Sequence, residues 1–273
     1  MIRYCNSGDK LLNEIKNTKI NYNQIGIWFL GQEGFIIKTK EKNLCFDPFL
    51  TNCEDRAIPP ILNPENLSNL DYIFCSHHHD DHLDIPTLKK ISNSSKKIKF
   101  IIPAAHKGLM RSFTDNRIIL ADDGKEIKLK GIKILPIAVK HENYETDING
   151  HHLFLSYLVK INNITFFHAG DTIGSPELQR KLSNYSIDVI FLPINGRDSD
   201  RFNSRNIVGN MNYREAANLA YGVKADLLIP MHHDVFLYNS ENPAYLTDYL
   251  WHYYPSQKYK LMVAGEGMIY NKL

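Results

Sequence analysis

Short apolar stretches, broken by glycine and by charge, set the pattern of the first half of the chain. Residues 25–30, 35–38 and 44–46 are β-rich pieces separated by Gly31, Gly34 and the charged turn Lys40-Glu41-Lys42. Residues 71–75 form a compact apolar run that ends in a polar histidine cluster. Leu83, Leu88 and Ile91 recur at helical spacing, which predicts a helix over 83–91. A strand is expected at 99–102 and a short helix at 105–113. Residues 118–120, 126–129 and 132–139 read as a meander with turns at Asp123-Gly124 and Lys130-Gly131.

The second half repeats this grammar. Residues 153–161 and 165–168 predict a hairpin through Asn162-Asn163. Ser175-Pro176-Glu177 reads as a helix start, with a serine cap, proline at the first helical position and an acid in the first turn. Strands are expected at 188–192, 226–229, 261–264 and 268–270, and helices at 213–221 and 246–253. Strand-rich blocks with helices between them give a mixed α/β (α+β) class. The architecture expected is a four-layer αββα sandwich, built as one domain over 1–273.

Composition narrows the partners. Lys and Arg number 32 against 30 Asp and Glu, a net charge of +2. That leaves no basic field for a nucleic acid, so a small-molecule substrate is expected. No apolar run is long enough to span a membrane. The start, Met1 to Asn6, has no apolar leader core, so the cytoplasm is the expected compartment. Cys5, Cys45, Cys53 and Cys75 lack paired spacing and read as reduced, mostly buried thiols. Homo-oligomers are common for such chains, but no interface is legible.

The chemistry lies in Ser76-His77-His78-His79-Asp80-Asp81-His82, directly after an apolar strand. His77, His79, Asp81 and His82 fit H-x-H-x-D-H. Imidazoles with a hard carboxylate suit zinc, manganese or iron. His77 and His79 alternate and can point one way. Asp81 and His82 then turn toward a second cation. In Phe167-His168-Ala169-Gly170-Asp171, a strand ends in a tight turn that presents Asp171, which can bridge two cations. His168 reads either as a group hydrogen-bonded behind a ligand or as a core histidine. Residues 228–234 repeat the pattern, with His232 as ligand and His233 facing the substrate. One ligand has two candidates, His141 and His152. His141 is preferred because it follows the end of a strand, as the others do.

These motifs resemble the metallo-β-lactamase fold superfamily of metal-dependent hydrolases. Ile27-Trp28-Phe29-Leu30-Gly31, Phe46-Asp47-Pro48, Asn195-Gly196-Arg197, Gly209-Asn210-Met211 followed by Glu215-Ala216-Ala217, and Pro230-Met231-His232-His233-Asp234 narrow the resemblance to its L-ascorbate-6-phosphate lactonase branch. The resemblance implies an αββα fold with two divalent cations, Mn2+ or Zn2+. It implies His77, His79 and His141 around one cation and Asp81, His82 and His232 around the other, with Asp171 between. It implies that Asp47 supports the ligands from behind.

A cation lowers the pKa of a bound water to about 7, so hydroxide attack on a carbonyl or phosphorus is the expected chemistry. Asp81 would orient the nucleophile, and His233 is the candidate proton donor. Asn195, Arg197, Arg205 and Asn210 are the candidate substrate contacts, with the arginines as a phosphate clamp. The leading expectation is the opening of a lactone or ester of a small phosphorylated sugar acid. The alternatives are a phosphodiesterase or nuclease on the same fold, and a non-catalytic metal-binding protein.

Overall fold

The fold is described from a computed structural model and covers residues 4–272. The reading of the chain start therefore lies in part outside the described residues. The strands in chain order are β1 (Gln24–Gly31), β2 (Gly34–Lys38), β3 (Asn43–Phe46), β4 (Tyr72–Phe74), β5 (Lys99–Pro103), β6 (Ile118–Ala121) and β7 (Ile127–Leu129). They continue as β8 (Ile132–Ala138), β9 (Leu155–Ile161), β10 (Ile164–His168), β11 (Val189–Pro193), β12 (Leu227–Met231), β13 (Lys258–Tyr259) and β14 (Gly267–Asn271). The α-helices are α1 (Gly8–Asn17), α2 (Ile85–Ser94), α3 (Pro176–Leu182), α4 (Ser199–Arg205), α5 (Tyr213–Gly222) and α6 (Ala244–Tyr253).

Two seven-stranded sheets result, ordered β14-β1-β2-β3-β4-β5-β6 and β13-β12-β11-β10-β9-β8-β7. In the first, β14 to β3 pair antiparallel and β3 to β6 pair parallel. In the second, β7 to β10 pair antiparallel and β10 to β13 pair parallel.

Side-chain alternation explains the layers. Ile27, Phe29, Phe35, Phe46, Phe74 and Ile101 face inward and join the core shared with the second sheet. Their neighbours Trp28, Ile36, Cys45, Ile73 and Phe100 face outward, under Leu11 of α1 and Leu88 and Ile91 of α2. On the other flank, α5 packs on β11 and β12 through Ala216, Ala217 and Ala220. The arrangement is the expected αββα sandwich. No described helix is long and apolar enough to cross a membrane.

Several local expectations change. Residues 118–120 do not continue a meander: β6 pairs parallel with β5 in the first sheet, while β7 and β8 pair in the second. The short apolar runs look alike, and only the sheet they bury against separates them. The expected helix at 105–113 is a 3-10 stretch, Ala104–Met110. The strand expected at 261–264 is irregular apart from a bridge at Ala264, and Lys258–Tyr259 pairs instead. The cysteines divide evenly, with Cys45 and Cys75 buried and Cys5 and Cys53 exposed.

Phe46 links core and site. It stacks on Phe74 at 4.3 Å and on His168 at 5.1 Å, and meets Phe166 edge-on at 5.6 Å. Phe46→Ala is expected to cost about 3–5 kcal/mol of stability. Urea denaturation would register this as a lower midpoint with an unchanged slope.

Candidate metal centre

The segments that follow β3, β4, β8, β10 and β12 converge at the carboxyl ends of these strands, where open α/β sheets hold their ligands. Asp171 is the meeting point. Its Oδ2 lies 3.5 Å from His77 Nε2, 3.7 Å from His79 Nδ1 and 3.5 Å from His141 Nε2. Its Oδ1 lies 3.5 Å from His82 Nε2 and 3.2 Å from His232 Nε2. Asp81 Oδ2 completes the second set, 3.5 Å from His82 Nε2 and 3.7 Å from His232 Nε2.

Each half of one carboxylate thus faces its own triad. Ligand atoms around a tetrahedral zinc at about 2.0–2.1 Å lie about 3.3 Å from one another, so these spacings fit a cation in each set. His82 Nε2, which faces both Asp81 and Asp171, is buried and without a hydrogen-bond partner. His77, His79 and Asp171 form one group able to hold a metal ion, and Asp81, His82 and His232 another. His141 is not part of the first of these mutually close groups, although its Nε2 lies 3.5 Å from Asp171 Oδ2. His152 lies elsewhere: it bridges to Thr146 and packs on Tyr144.

Local structure explains the aim of these groups. Gly170 has φ +60°, and a Cβ there would lie 2.6 Å from Ser76 Cβ, so only glycine lets Asp171 come this close to the histidine loop. His232 and Asp47 also take positive φ, +57° and +37°, and so does Gln32 at +58°. Such conformations cost free energy, and they persist where surrounding contacts over-determine them. Those contacts are present. The His232 N–H donates to the Gln32 carbonyl at 2.6 Å, and the Asp47 N–H to the Phe74 carbonyl at 2.9 Å.

Asp47 sits behind Ser76 and His82. Its Oδ1 accepts the Ser76 N–H at 2.8 Å, and its Oδ2 lies 2.9 Å from His82 Nδ1. The latter contact fixes the ring so that Nε2 points at Asp171. His168 Nε2 donates to the Glu33 carbonyl at 2.9 Å, while its Nδ1 is buried without a partner and lies with Glu33 and Asp47 in a further group able to hold a metal ion.

Two neighbours escape the motif reading. Gln32 donates from Nε2 to Asp81 Oδ2 at 2.7 Å and fixes that carboxylate. Glu33 is fully buried, has no partner for either carboxylate oxygen, and lies 3.6 Å from His82 Nδ1. Burial pushes its carboxyl well above the usual range. In sequence, Gln32-Glu33 between two glycines looks like any hairpin turn, and nothing there signals a buried acid.

Charge is balanced across the centre. Burial opposes ionisation of Asp171, but His232 and His82 outweigh it and hold the carboxyl well below its ordinary value. Burial also opposes a proton on His82, yet Asp81 and Asp171 push its pKa well above the usual value. His232 is raised as well, with Asp171 overcoming burial. His77 and His141 are lowered by burial and stand neutral, ready to donate.

The expected substrate contacts divide. Asn210 donates from Nδ2 to Asp171 Oδ1 at 2.7 Å and lines a cavity of about 810 Å³ above the centre. Arg197 is committed elsewhere. It forms a two-pronged pair with Glu215 at 2.7 and 2.6 Å and donates to the Asn210 carbonyl at 2.9 Å. It is therefore no free phosphate clamp. Asn195 is buried behind the cavity and donates to Asn239 at 3.0 Å. Arg205 stacks over the Tyr238 ring at 4.6 Å. His233 is not a donor poised over the centre. It follows the left-handed turn at His232, is buried beside Phe29 at 6.4 Å, and is absent from the cavity's lining.

The family model for the beta-lactamase superfamily domain matches residues 42–233, most of the chain. A UPF0173 metal-dependent hydrolase of Pyrococcus horikoshii is 28% identical over 221 residues, which is 80% of this chain and 89% of the relative. An Escherichia coli protein described as a probable L-ascorbate-6-phosphate lactonase is 23% identical over 272 residues, covering 84% of this chain and 75% of its own. The structure of Igni18, a metallo hydrolase from Ignicoccus hospitalis, superposes with a TM-score of 0.71 at 19% identity, over 92% of this chain and all of that one.

Loading with cations is expected to release protons, because Asp81 and Asp171 raise the pKa of His82, Asp171 raises that of His232, and a ligating nitrogen must be deprotonated. The sign follows: apparent affinity for Mn2+ or Zn2+ falls as pH falls. Titration in weakly buffered solution with a pH electrode measures both effects. Asp47→Asn is expected to weaken metal affinity by about 10–100-fold, read by competition with a chelator.

Proposed function

The chain belongs to the beta-lactamase superfamily and is a metal-dependent hydrolase, and from that premise we propose that it opens a lactone or ester of a small polar molecule, using two divalent cations, Mn2+ or Zn2+, held by His77, His79, His141, Asp171, Asp81, His82 and His232. The observation that carries the reading is the single Asp171 carboxylate with three imidazole nitrogens facing one oxygen and two facing the other. A structural metal site needs one closed set of ligands and no second set facing an open cavity. When bound, the cations would act as Lewis acids on the scissile carbonyl and lower the pKa of water to about 7.

The chain's own residues do the rest. Asp81, fixed by Gln32, lines the cavity and orients the attacking water. Asn210 holds Asp171 in register between the two sets. Phe154 lines the cavity and meets the His79 and His141 rings at 5.7 and 5.1 Å. Lactone opening is supported by the likeness to the Escherichia coli protein. The sugar phosphate of that relative's name stays a substrate to test, because Arg197 is bound to Glu215.

The test is turnover of a panel of lactones, including L-ascorbate-6-phosphate, with a phosphodiester alongside, by protein reconstituted separately with manganese and with zinc. Metal-dependent lactone turnover is expected, with Asp81→Ala lower by at least about 10²-fold. Turnover of the phosphodiester alone would overturn the lactone reading.

A further inference from the structure

The cavity wall above the metal centre carries charge of one sign. Asp55, Asp80, Glu142 and Glu145 line it, and all four are exposed. None of them makes a salt bridge among the described residues. The lining holds no lysine or arginine. Of the nearby cations, Arg197 is paired to Glu215 and Arg201 to Asp198, whereas Arg56 donates only to the backbone carbonyls of Phe49, Thr51 and Ile58 and keeps its charge. Arg56 and Arg205, which lies on the Tyr238 ring, are two cations beside four exposed carboxylates of the lining.

A second, independent observation points the same way. Asn210 is 1% exposed and lines the cavity, and its Oδ1 is buried without a partner. Its orientation is fixed, because Nδ2 must donate to the Asp171 carboxylate. The group left over is an acceptor. A buried acceptor is costly to leave unsatisfied, so a ligand that donates to it gains that cost back. Wall and amide ask for the same chemistry.

We propose that the cavity takes a substrate whose portion away from the scissile bond is neutral or cationic and rich in hydrogen-bond donors, and that it turns away anionic groups such as phosphate. This rests on the hydrolase reading for the loaded floor. Positive charge from the cations acts at the scissile bond, while the far end of the substrate meets the carboxylates. Like charge at that distance weakens binding, and the effect is screened by salt.

The probes are 4-aminobutyrate, 4-hydroxybutyrate and 4-sulfobutyrate. Each offers one carboxylate to the cations and differs only at the far end. Sulfonate is a poor metal ligand, so it does not compete for the floor. Titration calorimetry of the manganese- or zinc-loaded protein is expected to show the amino and hydroxy acids binding at least about tenfold more tightly than the sulfonate. The gap is expected to shrink in an Asp55→Asn, Glu142→Gln double variant and at high salt. Equal affinities, tighter binding of the sulfonate, a gap the variant leaves unchanged, or binding of none of the three overturns the proposal. The two readings fail separately. Lactone turnover absent with this affinity order present sinks the lactone reading alone, and turnover present with the order reversed sinks only the charge selection.

Discussion

The Asp171 carboxylate is the constraint on which the remainder of the centre depends. It is almost wholly buried, and each oxygen faces a separate set of ligand atoms. An isolated buried carboxylate would be strongly destabilising, and here Asp47, Glu33 and Asp81 crowd the same volume. The carboxylates raise the pKa of His82 and His232, and positive charge there offsets theirs; cations would offset it in the loaded chain. The local fold is therefore arranged around one charge balance. Glycine at 170 lets the carboxylate in, and Ser76, Asp47 and Asn210 hold what surrounds it.

Three of the six described non-glycine residues with positive φ gather at that balance, the others being Asn162, Asn206 and Lys224. Gln32, Asp47 and His232 all stand in left-handed conformations, and all belong to the centre. Gln32 lies in the turn between β1 and β2, whereas His232 follows β12 in the other sheet. The short His232 N–H to Gln32 carbonyl bond joins them. One end of each sheet is thereby pinned to the other at the site, so the strain holds two sheet edges in a single geometry.

The fold was largely legible because side-chain period and packing agree. Phe29 and Trp28 show it: neighbours in sequence, they serve two different cores. The ligands were legible because each follows an apolar strand, and a histidine there is costly without a role. What could not be read has physical reasons. β6 has the same short apolar pattern as β7 and β8, and only a parallel partner, β5, tells them apart. α1 is short and mostly polar, and burial of Leu11 under the rest of the fold decides it; α4 buries no residue and is set by its Asp198 cap, which accepts the Arg201 N–H. Glu33 carries no pattern at all, since its burial is a property of the assembled sheets. His233 copies its neighbour in type, but the turn at His232 sends the two rings to different places.

Arg197 shows most clearly how residue type misleads without geometry. An arginine beside a glycine in a polar loop suits a phosphate, because its guanidinium matches two oxygens at once. Glu215 already supplies those two oxygens, and the Asn210 carbonyl takes a further N–H. Hydrogen bonds to charged groups are worth about 1.5–3 kcal/mol each, so a phosphate would have to displace an internal pair of equal quality. The arginine acts on the chemistry by another route. It holds the Asn210 backbone, the Asn210 side chain holds Asp171, and Asp171 sets the spacing between the two ligand sets. The same amide leaves its oxygen unpartnered beside the substrate cavity. In the proposed reading, substrate recognition and the alignment of the shared carboxylate therefore meet in one side chain. A ligand that satisfies that oxygen also steadies the group on which both ligand sets depend.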